Sequence, residues 1–398
     1  MMKLVIAGDV CMRGQEETMS AEVAREILAS VQPVLDAADI RIVNWENPTT
    51  LTADPSEEGA PIPKSGAMLH SKPDNIVFLK EGKFDVALMA NNHTGDYDPR
   101  GTLATKKYLE DAGLMTVGAG KDLEEARQPL YVEKNGECVA IISTCEYEFG
   151  IADRETPGAA GLDLRDLRMR IAKAKEKADY VVVINHGGNE HNPLPSPRNR
   201  ARYLDIIDMG ADALVAMHPH CPQGYEMYNG KPIVYSLGNF MFRTLSESVK
   251  QEGSWNYGYL ASLTFEKGKG PVLQIDPYQN NLKTSVIKLM EGEARETMMA
   301  YLEKISGYLG DPVEHEKMFM GWCMIAGPGY ARATKYDESM LEKPDEQPAL
   351  ALRNVFSCEA HNELITIYTR MIVEHKIDIG LKYKPIVQEL QKMPVNIW

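Results

Sequence analysis

Six short apolar runs, LVIA at 4–7, IRIV at 40–43, FDVALMA at 84–90, CVAIIS at 138–143, YVVVI at 180–184 and ALVAM at 213–217, punctuate residues 4–217 of this chain. Short, largely apolar runs of this length read as buried strands. The segments 20–36, 99–112 and 197–209 between them carry apolar residues at helical spacing, as with Ala201, Leu204 and Ile207. Strands alternating with helices predict an α/β fold. The ends of the runs constrain it further. The first meets Gly8-Asp9, the second Asn44-Trp45-Glu46, the third Asn91-Asn92-His93, the fifth Asn185-His186 and the sixth His218-Pro219-His220. In an α/β sheet, ligands collect outside the carboxyl ends of the strands, so these clusters are expected to converge on one crevice.

Their chemistry is coherent. Asp, Glu, Asn and His offer hard oxygen and borderline nitrogen donors, which suit Mn²⁺, Fe or Zn²⁺ better than Ca²⁺ or a thiolate zinc site. Taken singly, each cluster has a plainer explanation. An Asp after a strand is usually a turn or a helix cap, and Asn-Asn-His ahead of Thr-Gly-Asp serves as a polar loop. Two histidines around a rigid proline at a strand end have no packing role of that kind, and their joint occurrence with the other clusters favours a metal centre.

From Lys231 the texture changes to strands with little helix between them, PIVYSLGNF at 232–240, YLASLTFE at 259–266 and PVLQIDPY at 271–278, which predict antiparallel additions forming a second sheet. Beyond about Leu282 the pattern is helical, with Ala360, Leu364, Ile367 and Met371 on one stripe. The expected division is an α/β domain with the strand-end clusters at 1–285 and a helical C-terminal region at 286–398. Gly/Pro-rich stretches at 53–66 and 326–348 read as surface loops.

A net charge of −14 and the lack of any Lys/Arg-rich stretch argue against nucleic acid and anionic membranes as partners. They do not exclude an anionic substrate, because bound metal supplies local positive charge. The 6 cysteines form no CxxC pair and no dense framework, so reduced thiols are expected. No run approaches the ~18 apolar residues of a membrane span, and MMKLVIAGDV meets Asp9 too early for a signal peptide. A cytoplasmic protein without a membrane anchor is expected.

The ordered motifs GDVCMRG at 8–14, NWENP at 44–48, ANNHTGDYDPRG at 90–101, VGAG at 117–120, INHGGNE at 184–190 and MHPHCPQGYEMYNGKPIVYSLGNFMF at 217–242 resemble the bacterial capsule-synthesis proteins of the CapA or poly-γ-glutamate type, within the calcineurin-like metallophosphoesterase superfamily. The resemblance covers residues 3–245. It implies a sandwich of two packed mixed β-sheets flanked by helices, and two divalent metal ions. Asp9 and His220 would hold one ion, Asn92, His186 and His218 the second, with Glu46 between them. It also implies His93 as catalytic acid. Asp96 is a candidate to orient that imidazole, and Arg13 and Glu190 are candidates to touch substrate. Two departures stand out: Cys11 occupies the place of a usual histidine, which leaves the first metal site weaker, and Met217 replaces a usual glycine. The implied activity is a metal-dependent hydrolase or transfer enzyme acting on an anionic peptide or amide conjugate. An ordinary phosphoesterase is the alternative, and a non-catalytic partner of a polymer synthase is the third reading.

Overall fold

The computed structural model describes residues 1–12, 18–51, 58–242 and 253–398. Two mixed sheets pack face to face, and helices cover their outer surfaces. In the first sheet the order is Ile287–Leu289, Val272–Asn280, Tyr257–Phe265, Met2–Cys11, Ile40–Trp45, Val86–Leu88 and Met115–Val117, with Asn239–Phe242 also paired to Met2–Cys11. In the second it is Tyr225–Tyr228, Lys231–Val234, Ala213–Met217, Tyr180–His186, Glu137–Cys145 and Leu130–Lys134. The fold expected from the resemblance is the one observed.

Strand alternation assigns the faces. Met2, Leu4 and Ile6 enter a core shared with Val181, Val183 and Leu214 of the second sheet. Val5 and Ala7 point the other way, onto Ile27, Leu28 and Phe78 of the covering helices. The register between Met2–Cys11 and Ile40–Trp45 then slips between Ala7 and Asp9. One extra residue reverses the parity, so Val10 and Met12 continue the helix-facing side while Asp9 is left for the side between the sheets. The slip depends on Gly8, where a Cβ would lie 1.9 Å from the Gly238 carbonyl oxygen.

Three expectations are corrected. The run 232–240 is not one strand: Lys231–Val234 pairs in the second sheet, the chain turns at Gly238 (φ 73°), and Asn239–Phe242 crosses to the first. Tyr257–Phe265 and Val272–Asn280 are antiparallel but extend the first sheet, because the edge of Met2–Cys11 offers backbone partners to Tyr257–Phe265, which in turn pairs with Val272–Asn280. Residues 326–333 are not loop but the end of the helix Pro312–Ala333, which holds Pro328. Its glycines mislead because close helix packing uses them: a Cβ on Gly327 would lie 2.6 Å from the Tyr368 ring.

The C-terminal helices include Gly292–Gly307, Pro312–Ala333, Gln347–Ser357, Glu359–Val373 and Ile377–Leu390. Met298, Leu302, Trp322 and Leu364 from them join the same apolar cluster as the second sheet. On Glu359–Val373 the anticipated stripe is present, with Ala360, Leu364 and Met371 buried. The Arg202 guanidinium grips both oxygens of Glu359 at 3.1 and 2.7 Å, tying that helix to Pro197–Asp208. No described helix is long and apolar enough to cross a membrane.

Candidate metal centre

Both sheets contribute parallel strands whose carboxyl ends open on one crevice. Asp9, Glu46, Asn92 and His93 come from the first sheet, and His186, His218 and His220 from the second. A cross-sheet bond links the two halves: the His218 backbone N–H donates to Oδ2 of Asp9 at 3.1 Å. The other Asp9 oxygen accepts from Asn44 at 2.8 Å, and Asn91 in turn donates to Asn44 at 3.2 Å.

Glu46 occupies the middle. Its Oε1 lies 3.7 Å from Nε2 of His186, 3.8 Å from Nε2 of His220 and 4.0 Å from Nε2 of His93. Among the described residues both of its buried carboxylate oxygens lack a hydrogen-bond partner. An unsatisfied buried carboxylate is costly, and a cation between it and the imidazoles would remove the cost. Donor atoms of Asp9, Glu46 and His220 lie within 4.8 Å of one another, as do those of Glu46, His186 and His218, so Glu46 belongs to both groups. Asn92 Oδ1 and His218 Nδ1 each lie 3.0 Å from Nε2 of His186.

The electrostatics agree with that fit. Burial, with Asp9 and Glu190 nearby, pushes the Glu46 carboxyl well above the usual range. Burial and neighbouring imidazoles hold His186 and His218 well below theirs, so they stand neutral, with lone pairs to donate. Nδ1 of His220 is 2.8 Å from Oδ1 of Asn239, which fixes its proton there and leaves Nε2 as the donor facing Glu46. The backbone is strained at the same place: His218 has φ 102° and His220 φ 54°. Met217, the departure from the usual glycine, lies in extended strand with no such demand.

His93 sits at the edge of the cluster. Its Nδ1 is 2.7 Å from Oδ2 of Asp96, whose other oxygen accepts from the ammonium of Lys64. Burial opposes ionisation of Asp96, yet His93 and Lys64 hold its carboxyl below the usual range. Cys11 is fully buried two residues beyond Asp9 and belongs to none of the donor groups among the described residues. Arg13 lies outside the described residues. Glu190 faces a cavity of about 490 Å³ that opens on His93, Asn92 and His220.

Residues not anticipated from sequence line that cavity or adjoin the candidate ligands. Lys64, from a stretch expected to be surface loop, has a side chain only 1% exposed. Glu148 accepts from Asn92 at 2.9 Å, and Glu146 lies 3.7 Å from His218. These two follow the fourth strand, and the same strand-end reasoning applied there would have found them. Tyr330, Asn354, Val355 and His361 bring the C-terminal helices into the wall, and no local sequence signal marks them.

Residues 3–244 match the family described as Bacterial capsule synthesis protein PGA_cap. Over 246 residues the chain is 34% identical to the capsule biosynthesis protein CapA of Bacillus anthracis, a match covering 60% of this chain and 59% of that protein. It is 30% identical over 216 residues to a probable polyglutamine synthesis accessory protein of Mycobacterium tuberculosis, covering 51% of this chain and 55% of that one. The chain thus spans less than two thirds of the length of these relatives. A crystal structure of a phosphatase from Mycoplasma pneumoniae aligns with a TM-score of 0.42 at 15% identity, covering 72% of this chain and 92% of that one.

Proposed function

The chain belongs to the bacterial capsule synthesis protein family, and on that premise we propose that it is a metal-dependent hydrolase or transfer enzyme acting on an anionic peptide or amide conjugate of the poly-γ-glutamate kind. The observation that carries the reading is Glu46, a fully buried carboxylate that has no hydrogen-bond partner among the described residues and faces three imidazole nitrogens at 3.7 to 4.0 Å. Asp9, Glu46 and His220 would hold one divalent ion, and Glu46, Asn92, His186 and His218 the other. When bound, such ions supply Lewis acidity and a nucleophile at neutral pH.

The remaining roles belong to side chains. With Nδ1–H of His93 directed at Asp96, its Nε2 is the atom that gives a proton to the leaving group. Asn92 is steadied by Glu148. Lys64 brings a positive charge to the cavity, and Phe149, Phe242 and Trp255 give it apolar walls that exclude water. A cavity of about 490 Å³ admits a chain end or a small conjugate.

The test is protein purified without chelators, analysed for metal, and assayed on γ-glutamyl peptides and on phosphoesters beside Glu46→Gln. The proposal expects γ-glutamyl turnover that is lost with the metal in the variant. Turnover of phosphoesters alone replaces the substrate class, and bound metal without turnover of either leaves an accessory partner of a polymer synthase.

A further inference from the structure

A second group of donor side chains lies in the wall of the same cavity, away from Asp9 and Glu46. Cys358 immediately precedes the helix Glu359–Val373, and His361 stands in its first turn. Three residues apart on a helical path, they lie on one side of it. Glu148 reaches them from the end of the strand Glu137–Cys145. One donor atom from each of the three lies within 4.8 Å of the other two. The thiol is 1% exposed, and its sulfur is 3.8 Å from Oε1 of Glu146, so a second carboxylate adjoins the group. Nδ1 of His361 is buried and has no hydrogen-bond partner among the described residues. A buried imidazole nitrogen left unsatisfied beside a thiol and two carboxylates is costly in a protein interior, and a cation is the partner that serves all of them.

We propose that Glu148, Cys358 and His361 form a third cation site, of zinc type, separate from the centre around Glu46. The donor set decides the metal: one sulfur, one imidazole nitrogen and one carboxylate oxygen match Zn²⁺ and are a poor match for Mg²⁺ or Ca²⁺. Three protein ligands leave a fourth tetrahedral position. Glu148 and His361 both line the cavity, so that position faces the bound substrate and accepts water or a substrate carboxylate. The site also joins the C-terminal helices to the sandwich. Asn92 donates to Glu148 at 2.9 Å, and Oε1 of Glu146 lies 3.8 Å from the Cys358 sulfur and 3.7 Å from His218, so the third site adjoins the main centre.

Full-length protein stripped of metal and titrated with Co²⁺ tests this, because thiolate ligation produces a sulfur-to-cobalt charge-transfer absorption that oxygen and nitrogen ligands do not. The wild type is expected to show that band and to bind one ion more than Cys358→Ser, which loses the band. His361→Ala is expected to weaken the band's titration by tenfold or more, and Glu46→Gln to keep it. A wild-type spectrum without the band at saturating cobalt overturns the proposal with no variant needed. A band that survives Cys358→Ser, or disappears in Glu46→Gln, overturns it as well. Undiminished metal at the main centre in Glu46→Gln counts against the reading of Glu46 alone and leaves the third site standing.

Discussion

Nζ of Lys64 lies 3.1 Å from Nδ1 of His93, and the same ring nitrogen is 2.7 Å from Oδ2 of Asp96. A ring nitrogen that donates its proton to Asp96 has no lone pair with which to accept from the ammonium, so the ammonium serves Asp96 through its other oxygen. The triangle fixes the imidazole with Nε2 free. His93→Ala is expected to lower kcat by about 10²–10⁴-fold, the usual worth of a positioned acid, while metal content stays at the wild-type level. Metal analysis and steady-state kinetics on one preparation check both halves, and equal loss of metal and activity would make His93 a ligand.

Lys64→Met should move the pH profile in a definite direction. Burial and the Lys64 charge both hold the His93 imidazolium below its usual pKa. Removing the charge favours the protonated ring, so the alkaline limb of kcat, where a catalytic acid is lost, shifts to higher pH. A limb that stays in place or moves down shows that the ammonium does not act on His93.

His186→Ala and His218→Ala are each expected to reduce bound metal, since each removes a nitrogen donor. Asn239→Ala removes no donor but frees Nδ1 of His220, and should weaken metal binding by about 10–100-fold, as losses of supporting hydrogen bonds do. Calorimetric titration of the stripped proteins measures all three. Unchanged affinity in both histidine variants would remove them from the ligand set.

Cys11 predicts unequal sites. The group Asp9, Glu46 and His220 has fewer donors than the group of Glu46, Asn92, His186 and His218, so the first ion should bind more weakly and activity should follow its addition. Cys11→His is expected to tighten that ion, because an imidazole donates without the ionisation a buried thiol requires. Two equally tight ions at these sites in the wild type, one of them lost in Cys11→Ala, would establish the thiolate as a ligand.

Truncation near residue 285 should give insoluble protein. It would uncover the surface that Met298, Leu302, Trp322 and Leu364 bury against the second sheet, and large exposed apolar patches drive aggregation. A soluble fragment that binds metal normally would show the helices to be dispensable for the centre.

The strand runs were legible because short, largely apolar stretches bounded by polar segments leave few alternatives, and the strand-end rule identified Asp9, Glu46, His186 and the His218–His220 pair as neighbours. Sequence could not reveal the slip at Gly8, which depends on the Gly238 carbonyl more than two hundred residues away. Lys64 escaped notice because its loop has loop composition, and what draws its ammonium inward is Asp96, together with the Phe149 ring beneath it, both remote in sequence. Gly327 concealed a helix, since a residue that breaks isolated helices is also the one that lets Tyr368 pack closely.

The seam between the sheets has a consequence for how this centre can vary. Asp9 and Glu46 ride on one sheet, the three imidazoles His186, His218 and His220 on the other, and the layer of Leu4, Ile6, Val181, Val183 and Leu214 between the sheets sets their separation. That layer acts as a gauge block: thickening or thinning it changes the gap between the two sets of donor side chains without touching any of them. If ions bind there as proposed, their radius is selected from the middle of the hydrophobic core, and exchanges such as Ile6→Val or Val183→Ile, remote from the cavity, become a means of retuning metal preference.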